Sequence, residues 1–93
     1  FMREIYIHSR FKKDLKRIKK RGLPLSELQE VVDMLAEDIP LPARYRDHAL
    51  TGQFTGLREC HIRPDWLLIY RLHENELVLS LTHTGTHADL FDL

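Results

Sequence analysis

Two strand-like runs, residues 57–62 and the apolar-rich 66–72, are separated only by Arg63-Pro64-Asp65. This short gap constrains the fold more than any other feature. Proline presets its own φ and aspartate bonds to nearby backbone, so Arg-Pro-Asp reads as a turn. So short a connection joins antiparallel neighbours, because a parallel crossover takes a dozen residues or more. A second turn at 73–76, around Asn75, leads into the alternating run 77–82, which Gly85 closes. The last third of the chain is therefore expected to be a three-strand meander.

The first half has a different period. Residues 3–7 alternate, with Ile5 and Ile7 against Glu4 and Tyr6, and read as a short strand. Ser9 is a candidate N-cap for a helix whose apolar face is Phe11, Leu15 and Ile18, and Gly22 can end it. A second helix is expected to begin around 24–26, where Pro24 suits a first turn and Ser26-x-x-Gln29 has capping-box spacing. Its stripe is Leu28, Val31, Val32 and Leu35, and Pro40 and Pro42 stop it. Residues 39–56 read as a long loop, a feature often tied to function in so small a domain. Residues 88–93 read as a short terminal helix. The expected fold is α+β, in the order β-α-α-β-β-β, with two N-terminal helices packed on one face of a twisted antiparallel sheet.

Ninety-three residues fit one domain, taken as 2–93, because Phe1 precedes Met2 and reads as an expression remnant. A dinucleotide-binding fold or a TIM barrel does not fit this length. No apolar run approaches a membrane span, and no signal-like stretch opens the chain. The single cysteine, Cys60, cannot form an internal disulfide and suits a reducing compartment. A cytoplasmic protein is expected.

Fourteen Lys and Arg balance 14 Asp and Glu, but unevenly along the chain. Residues 10–21 hold eight basic side chains, including Lys12, Lys16 and Lys19, and one acid, Asp14; residues 27–38 hold five acids and no base. A pair of oppositely charged helices often forms a solvated hairpin with weak ion pairs. Beside a phosphate site, the basic helix becomes a nucleic-acid surface.

Six histidines are present. In the meander, the end of 57–62, the start of 66–72 and the end of 77–82 share one edge. His61, Asp65, Trp66, His83 and His87 should gather there. With simple turns, Trp66 would sit opposite His83 and His61 beside Leu68, although a one-residue slip would reverse the faces. Imidazole exchanges protons near neutral pH. RNA supplies its own nucleophile, the 2′-hydroxyl, so a base, an acid and a cation suffice for cleavage. Histidines at strand ends also occur for packing alone. A metal site is a rival reading, since His61, His83, His87 and Asp65 are all possible ligands; His83-Thr-Gly-Thr-His87 spans a glycine, however, and is no helical i, i+4 pair. Cys60 should point away from His61 as a small buried hydrophobe. Trp66 suits either base stacking or packing.

Three stretches resemble one family: Tyr45-Arg-Asp-His48-Ala-Leu-Thr-Gly52, the run from Gly56 to Tyr70, and Thr84-Gly-Thr-His87-Ala-Asp-Leu-Phe91. In this order they resemble YafQ-type toxins of the RelE/ParE superfamily, from bacterial type II toxin–antitoxin modules, across essentially the whole chain. The resemblance implies a RelE-like α+β fold. It implies a ribosome-dependent mRNA endonuclease that cuts in the A site without metal or cofactor. His48, His61, Asp65, His87 and Phe91 fall on the family's functional positions. On that basis His87 is the expected acid, Asp65 or His48 the base, and His61 a phosphate ligand; Phe91 orients substrate and Trp66 lies beside the site. The implied partners are an antitoxin with a ribbon-helix-helix N-terminal domain and a wrapping C-terminal segment, the 70S ribosome with its mRNA, and operator DNA through the antitoxin alone.

Two departures from the family pattern stand out. His83 occupies the place of a usual arginine, so cleavage should be weaker or more pH-dependent unless Arg63 substitutes. Ala49 replaces a common proline after the loop histidine, which could loosen the loop carrying His48. The competing functions are a non-catalytic ParE-like inhibitor of a protein such as gyrase, and a weakened toxin that mainly binds antitoxin. The ParE-like branch generally lacks the set His48, His61 and His87.

Overall fold

The computed structural model describes residues 2–91; Phe1 and the last two residues of the expected terminal helix lie outside the described residues. The chain runs β1 (Glu4–Ile7), α1 (Ser9–Lys20), α2 (Leu25–Ala36), β2 (His48–Ala49), β3 (Arg58–Arg63), β4 (Trp66–His73), β5 (Val78–Gly85) and α3 (His87–Phe91). Single 3₁₀ turns at Ala43–Tyr45 and Gly52–Phe54 flank β2. This is the α+β architecture expected from the sequence.

One five-stranded sheet has the order β1-β5-β4-β3-β2. The meander β2 to β5 is antiparallel, but β1 pairs with β5 in parallel, so the sheet is mixed rather than antiparallel. Successive reversals return β5 to the edge where β1 lies, and there the two directions match. Alternation marks β1 as a strand without revealing the direction of its partner.

α1 forms because Phe11, Leu15 and Ile18 recur on one face, and Phe11 and Ile18 are buried. It ends in a Schellman motif: Gly22 N–H donates to Lys19 O at 3.0 Å and Leu23 N–H to Ile18 O at 3.3 Å. Gly22 supplies the positive φ of 75° that this motif needs. The expected N-caps differ. His8, not Ser9, occupies the cap position of α1, and Pro24 that of α2; neither helix has a side-chain cap. Ser26 and Gln29 both lie inside α2, where Gln29 donates to Asp33 instead of closing a capping box.

Both helices cover one face of the sheet. Phe11, Ile18, Leu28, Val31, Val32 and Leu35 pack with Cys60, Leu68, Tyr70, Leu79 and Leu81 into one core. Alternation sends the neighbours of those strand residues to the opposite face. There the pairing aligns His48 with Glu59, Glu59 with Ile69 and Ile69 with His83, across four strands. His61 pairs with Leu67 in the adjoining row, not with Leu68, and Trp66 pairs with Arg63, not with His83. The bulge at His61/Arg63 shifts pairing by one residue and accounts for the first difference; in the second, the four-residue connection 74–77 between the paired His73 and Val78 moves the register by two, and the bulge at Ile69/Tyr70 by one more.

Candidate active site

The site lies on the face that α1 and α2 leave uncovered. α3 carries its first element. Thr86 and Asp89 form a reciprocal cap: Thr86 N–H donates to Asp89 Oδ2 at 3.0 Å, and Asp89 N–H to Thr86 Oγ1 at 3.1 Å. Asp89 also accepts from Arg21 at 2.5 and 3.0 Å, tying α3 to the end of α1. The Arg21 guanidinium is the main reason the Asp89 carboxyl is held well below the usual carboxylate range. Gly85 is the pivot before this cap, because a Cβ there would stand 2.9 Å from Asp89 Oδ2. One residue earlier, Thr84 N–H donates to the fully buried Asp14 of α1. The base of His87 is thus anchored to α1 twice.

His87 meets Asp65 from the β3–β4 turn. Asp65 Oδ1 lies 2.6 Å from His87 Nδ1 and accepts the His87 backbone N–H at 3.0 Å. These two contacts, backbone first, hold the Asp65 carboxyl below its ordinary range, so it is ionised at neutral pH. An ionised carboxylate places the proton on Nδ1, which leaves Nε2 as the working atom.

His61 stands next to His87, with ring centroids 5.7 Å apart, and His48 lies 6.3 Å beyond His61. Glu59 links the far pair. Its Oε1 is 3.4 Å from His48 Nε2 and 3.3 Å from His61 Nε2, and its side chain is 7% exposed. On the other side of each ring, His48 Nδ1 is 2.7 Å from Arg46 O and His61 Nδ1 is 3.3 Å from Pro64 O. His48 owes its place to β2, a two-residue strand with no alternation to read, which sequence reasoning had left inside a long loop. Glu59 was also missed; alternation puts it on the face of His61, two residues away, and this was the available signal.

Phe91 lies 6.5 Å from His87 and packs edge-on against Phe54 at 5.5 Å. Phe54 in turn meets His83 edge-on at 6.3 Å. His83 therefore borders the site through Phe54 instead of joining the other imidazoles. Burial, aided by the nearby Arg10 charge, lowers the tendency of His83 to take a proton. It is a neutral ring at pH 7, unlike an arginine.

The other expected RNA contacts stand apart from the row of imidazoles. Trp66 is buried at 1% exposure and its indole N–H donates to Thr84 Oγ1, so packing decides its role and no stacking face is open. Arg63 grips Glu27 of α2 with two nitrogens at 2.6 and 3.0 Å, and is committed to holding the β3–β4 turn. Lys12, Lys16 and Lys19 are exposed, but 100° per residue puts them on the flank of α1 away from Arg10, Asp14, Arg17 and Arg21. The arginine flank, which contacts α3 and β5, is the one nearer the site. Cys60 faces the helical core as expected, and burial pushes its thiol up to about 12.

Among the described residues, no three His, Cys, Asp or Glu side chains converge in the manner of a metal site. What the arrangement offers is a row of three imidazoles, His48, His61 and His87, with the Glu59 carboxylate bridging the first two and the Asp65 carboxylate on the third.

A family model described as the bacterial toxin of type II toxin–antitoxin system, YafQ, matches residues 3–92. The mRNA interferase toxin YafQ of Escherichia coli K12 is 40% identical over 90 residues, 96% of each chain. A putative toxin YafQ of Haemophilus influenzae is 41% identical over 64 residues, 66% of this chain and 63% of that one. Among solved structures, the E. coli DinJ–YafQ toxin–antitoxin complex superposes with a TM-score of 0.87 at 39% identity, covering 98% of this chain and 99% of that one. A metal-bound toxin from Helicobacter pylori gives a TM-score of 0.91 at 42% identity, covering 97% and 100%. Sequence and fold agree along the whole length compared: this chain belongs to the YafQ family of type II toxin–antitoxin toxins.

Proposed function

We propose that this chain is a ribosome-dependent mRNA endonuclease, cutting in the A site by attack of the RNA 2′-hydroxyl. The observation that carries the reading is the order of neighbours His48, His61, His87, with His61 between the other two. In-line displacement needs a base at the 2′-oxygen and an acid at the 5′-oxygen, on opposite sides of the phosphorus. A phosphate held at the central His61 would have His48 on one side and His87 on the other. His48 Nδ1 faces the Arg46 carbonyl and so carries the proton, which leaves Nε2, on the Glu59 side of the ring, as the atom that takes one from the entering 2′-hydroxyl. The Glu59 carboxylate beside it favours the cation that forms. The 2′-oxygen bonds to phosphorus, the P–O5′ bond breaks, and His87, which enters the reaction as the imidazolium with Nδ1–H on Asp65, gives its Nε2 proton to the departing oxygen. Asp65 then acts on His87 by orienting it and stabilising its charge, and is not itself the base. Phe91, backed by Phe54, offers its ring to the substrate base. No step requires a cofactor.

The same reading extends to partners. The E. coli relative is known in a complex with DinJ; an antitoxin that wraps this chain, and through which alone operator DNA is reached, is the corresponding partner here, together with the 70S ribosome. No helix among the described residues is long and apolar enough to cross a membrane, and a cytoplasmic site of action follows from the ribosomal target. Cleavage of mRNA on programmed 70S ribosomes tests the proposal. The parent should cut at the A site and His87→Ala should not. A folded parent that cuts nothing would overturn the nuclease reading in favour of a non-catalytic inhibitor of a protein such as gyrase, or of a toxin weakened by His83.

A further inference from the structure

Beside His61, the Ala43–Tyr45 turn and the β3–β4 turn enclose a recess of about 310 Å³. Its walls include Arg44, Tyr45, Arg46, His61, Arg63 and Pro64. Arg63 is neutralised by Glu27. Arg44 and Arg46 are exposed, and neither meets a carboxylate within ion-pair distance among the described residues. Arg44 is held in place: its guanidinium lies 4.6 Å from the Tyr45 ring centre and donates to the Tyr45 hydroxyl at 2.9 Å. Arg46 has a left-handed backbone, φ 49°, uncommon for a side chain of its kind. That conformation also aims its carbonyl at His48. Two unpaired guanidiniums, one of them fixed on a ring, thus share a wall with the central imidazole of the site.

We propose that this recess is a subsite for the RNA phosphate on the 5′ side of the nucleotide that supplies the attacking 2′-hydroxyl. The inference rests on the assignment of His87 as acid and His48 as base. His87 marks the leaving, 3′ side of the scissile phosphate. Arg46 adjoins His48 and so lies on the nucleophile's side, where the chain continues toward its 5′ end. Guanidinium groups match phosphate with paired donors. The volume is at the lower end of ordinary ligand sites, enough for one nucleotide unit. The subsite would set the register of the RNA, and it would select a continuous strand over a lone dinucleotide.

Binding of non-cleavable dinucleotides to the protein alone tests this without any catalysis. Each carries a 2′-deoxy sugar at the scissile position, with a phosphate on its 5′ end, on its 3′ end, or on neither. The 5′-phosphate should tighten binding about tenfold in the parent. In Arg44→Gln/Arg46→Asn that gain should fall below about twofold, and the salt dependence of log K should weaken by ~0.7 for the lost phosphate contact. Asn tolerates the left-handed backbone at 46, and Arg44→Gln alone should remove part of the gain if the double variant folds poorly. A 5′ gain that survives both substitutions, or no gain at either end, overturns the subsite. An arginine-dependent gain at the 3′ end overturns the stated polarity and with it the assignment of His87 as acid. Failure of ribosomal cleavage with the 5′ gain intact would refute the reaction and leave the subsite standing.

Discussion

Replacing Glu59 with Gln is the sharpest perturbation of the row of imidazoles. The carboxylate is 7% exposed and its Oε1 stands 3.3–3.4 Å from a nitrogen of His48 and of His61. At an effective dielectric of ~20, charges this close attract by about 4 kcal/mol. Solvent screens much of that, because the His48 side chain is 49% exposed. A working figure is about 1–2 kcal/mol, or roughly 5- to 30-fold in rate. Gln keeps the volume and removes the charge that favours a protonated His48 in the transition state. Single-turnover cleavage on programmed ribosomes should therefore slow by that factor, mainly in kcat, while thermal melting changes little. Glu59→Asp keeps the charge one methylene further back and should recover part of the rate. A Gln variant that cleaves as fast as the parent would show that Glu59 neither holds the two rings nor assists the base.

Other perturbations probe the remaining parts of the account. His83→Arg places a permanent cation where burial keeps a neutral ring, and should raise cleavage several-fold in a rate assay; no change would show the position is dispensable. The Asp89 carboxyl is held below its unfolded value of ~3.9, so its stabilising contribution is present above that pH and is lost as pH falls through the folded value. Melting temperature should accordingly drop below about pH 4 in the parent, and that component should be absent from Asp89→Asn. With its thiol pushed up to about 12, Cys60 should resist alkylation at pH 8 until the protein is unfolded by denaturant; rapid labelling of the folded chain would contradict its buried place.

The parts of the fold that carry strong periodicity were legible from the residues. α1, α2 and the meander announce themselves through apolar spacing and the Arg63-Pro64-Asp65 turn. The mixed character of the sheet was not, because β1 encodes its own alternation and not its partner's direction. Bulges at His61/Arg63 and Ile69/Tyr70 displaced the register in a way no spacing reveals. The meander did bring Asp65, His61 and His87 together as its topology required. His48 joined them only through the two-residue β2, so the family resemblance placed it where periodicity could not. Residue type alone did not decide Trp66 and Arg63: burial settles Trp66 on packing, the second of its two readings, and Arg63 is taken up by an ion pair with Glu27. Glu59 went unnoticed because an acid inside an apolar strand reads as a solvent-facing residue until its neighbours are known.

The most direct test of the chemistry is the nature of the ends left by cleavage. Attack by the 2′-hydroxyl with His87 protonating the leaving oxygen produces a 5′-hydroxyl on one fragment and a 2′,3′-cyclic phosphate, or the 3′-phosphate derived from it, on the other. A single 2′-deoxy sugar at the cut position should abolish cleavage, and His87→Ala should lower it by about 10²–10⁴-fold. Fragments bearing 5′-phosphates, or undiminished cutting of the 2′-deoxy substrate, would mean that water is the nucleophile and that the order His48, His61, His87 has been misread.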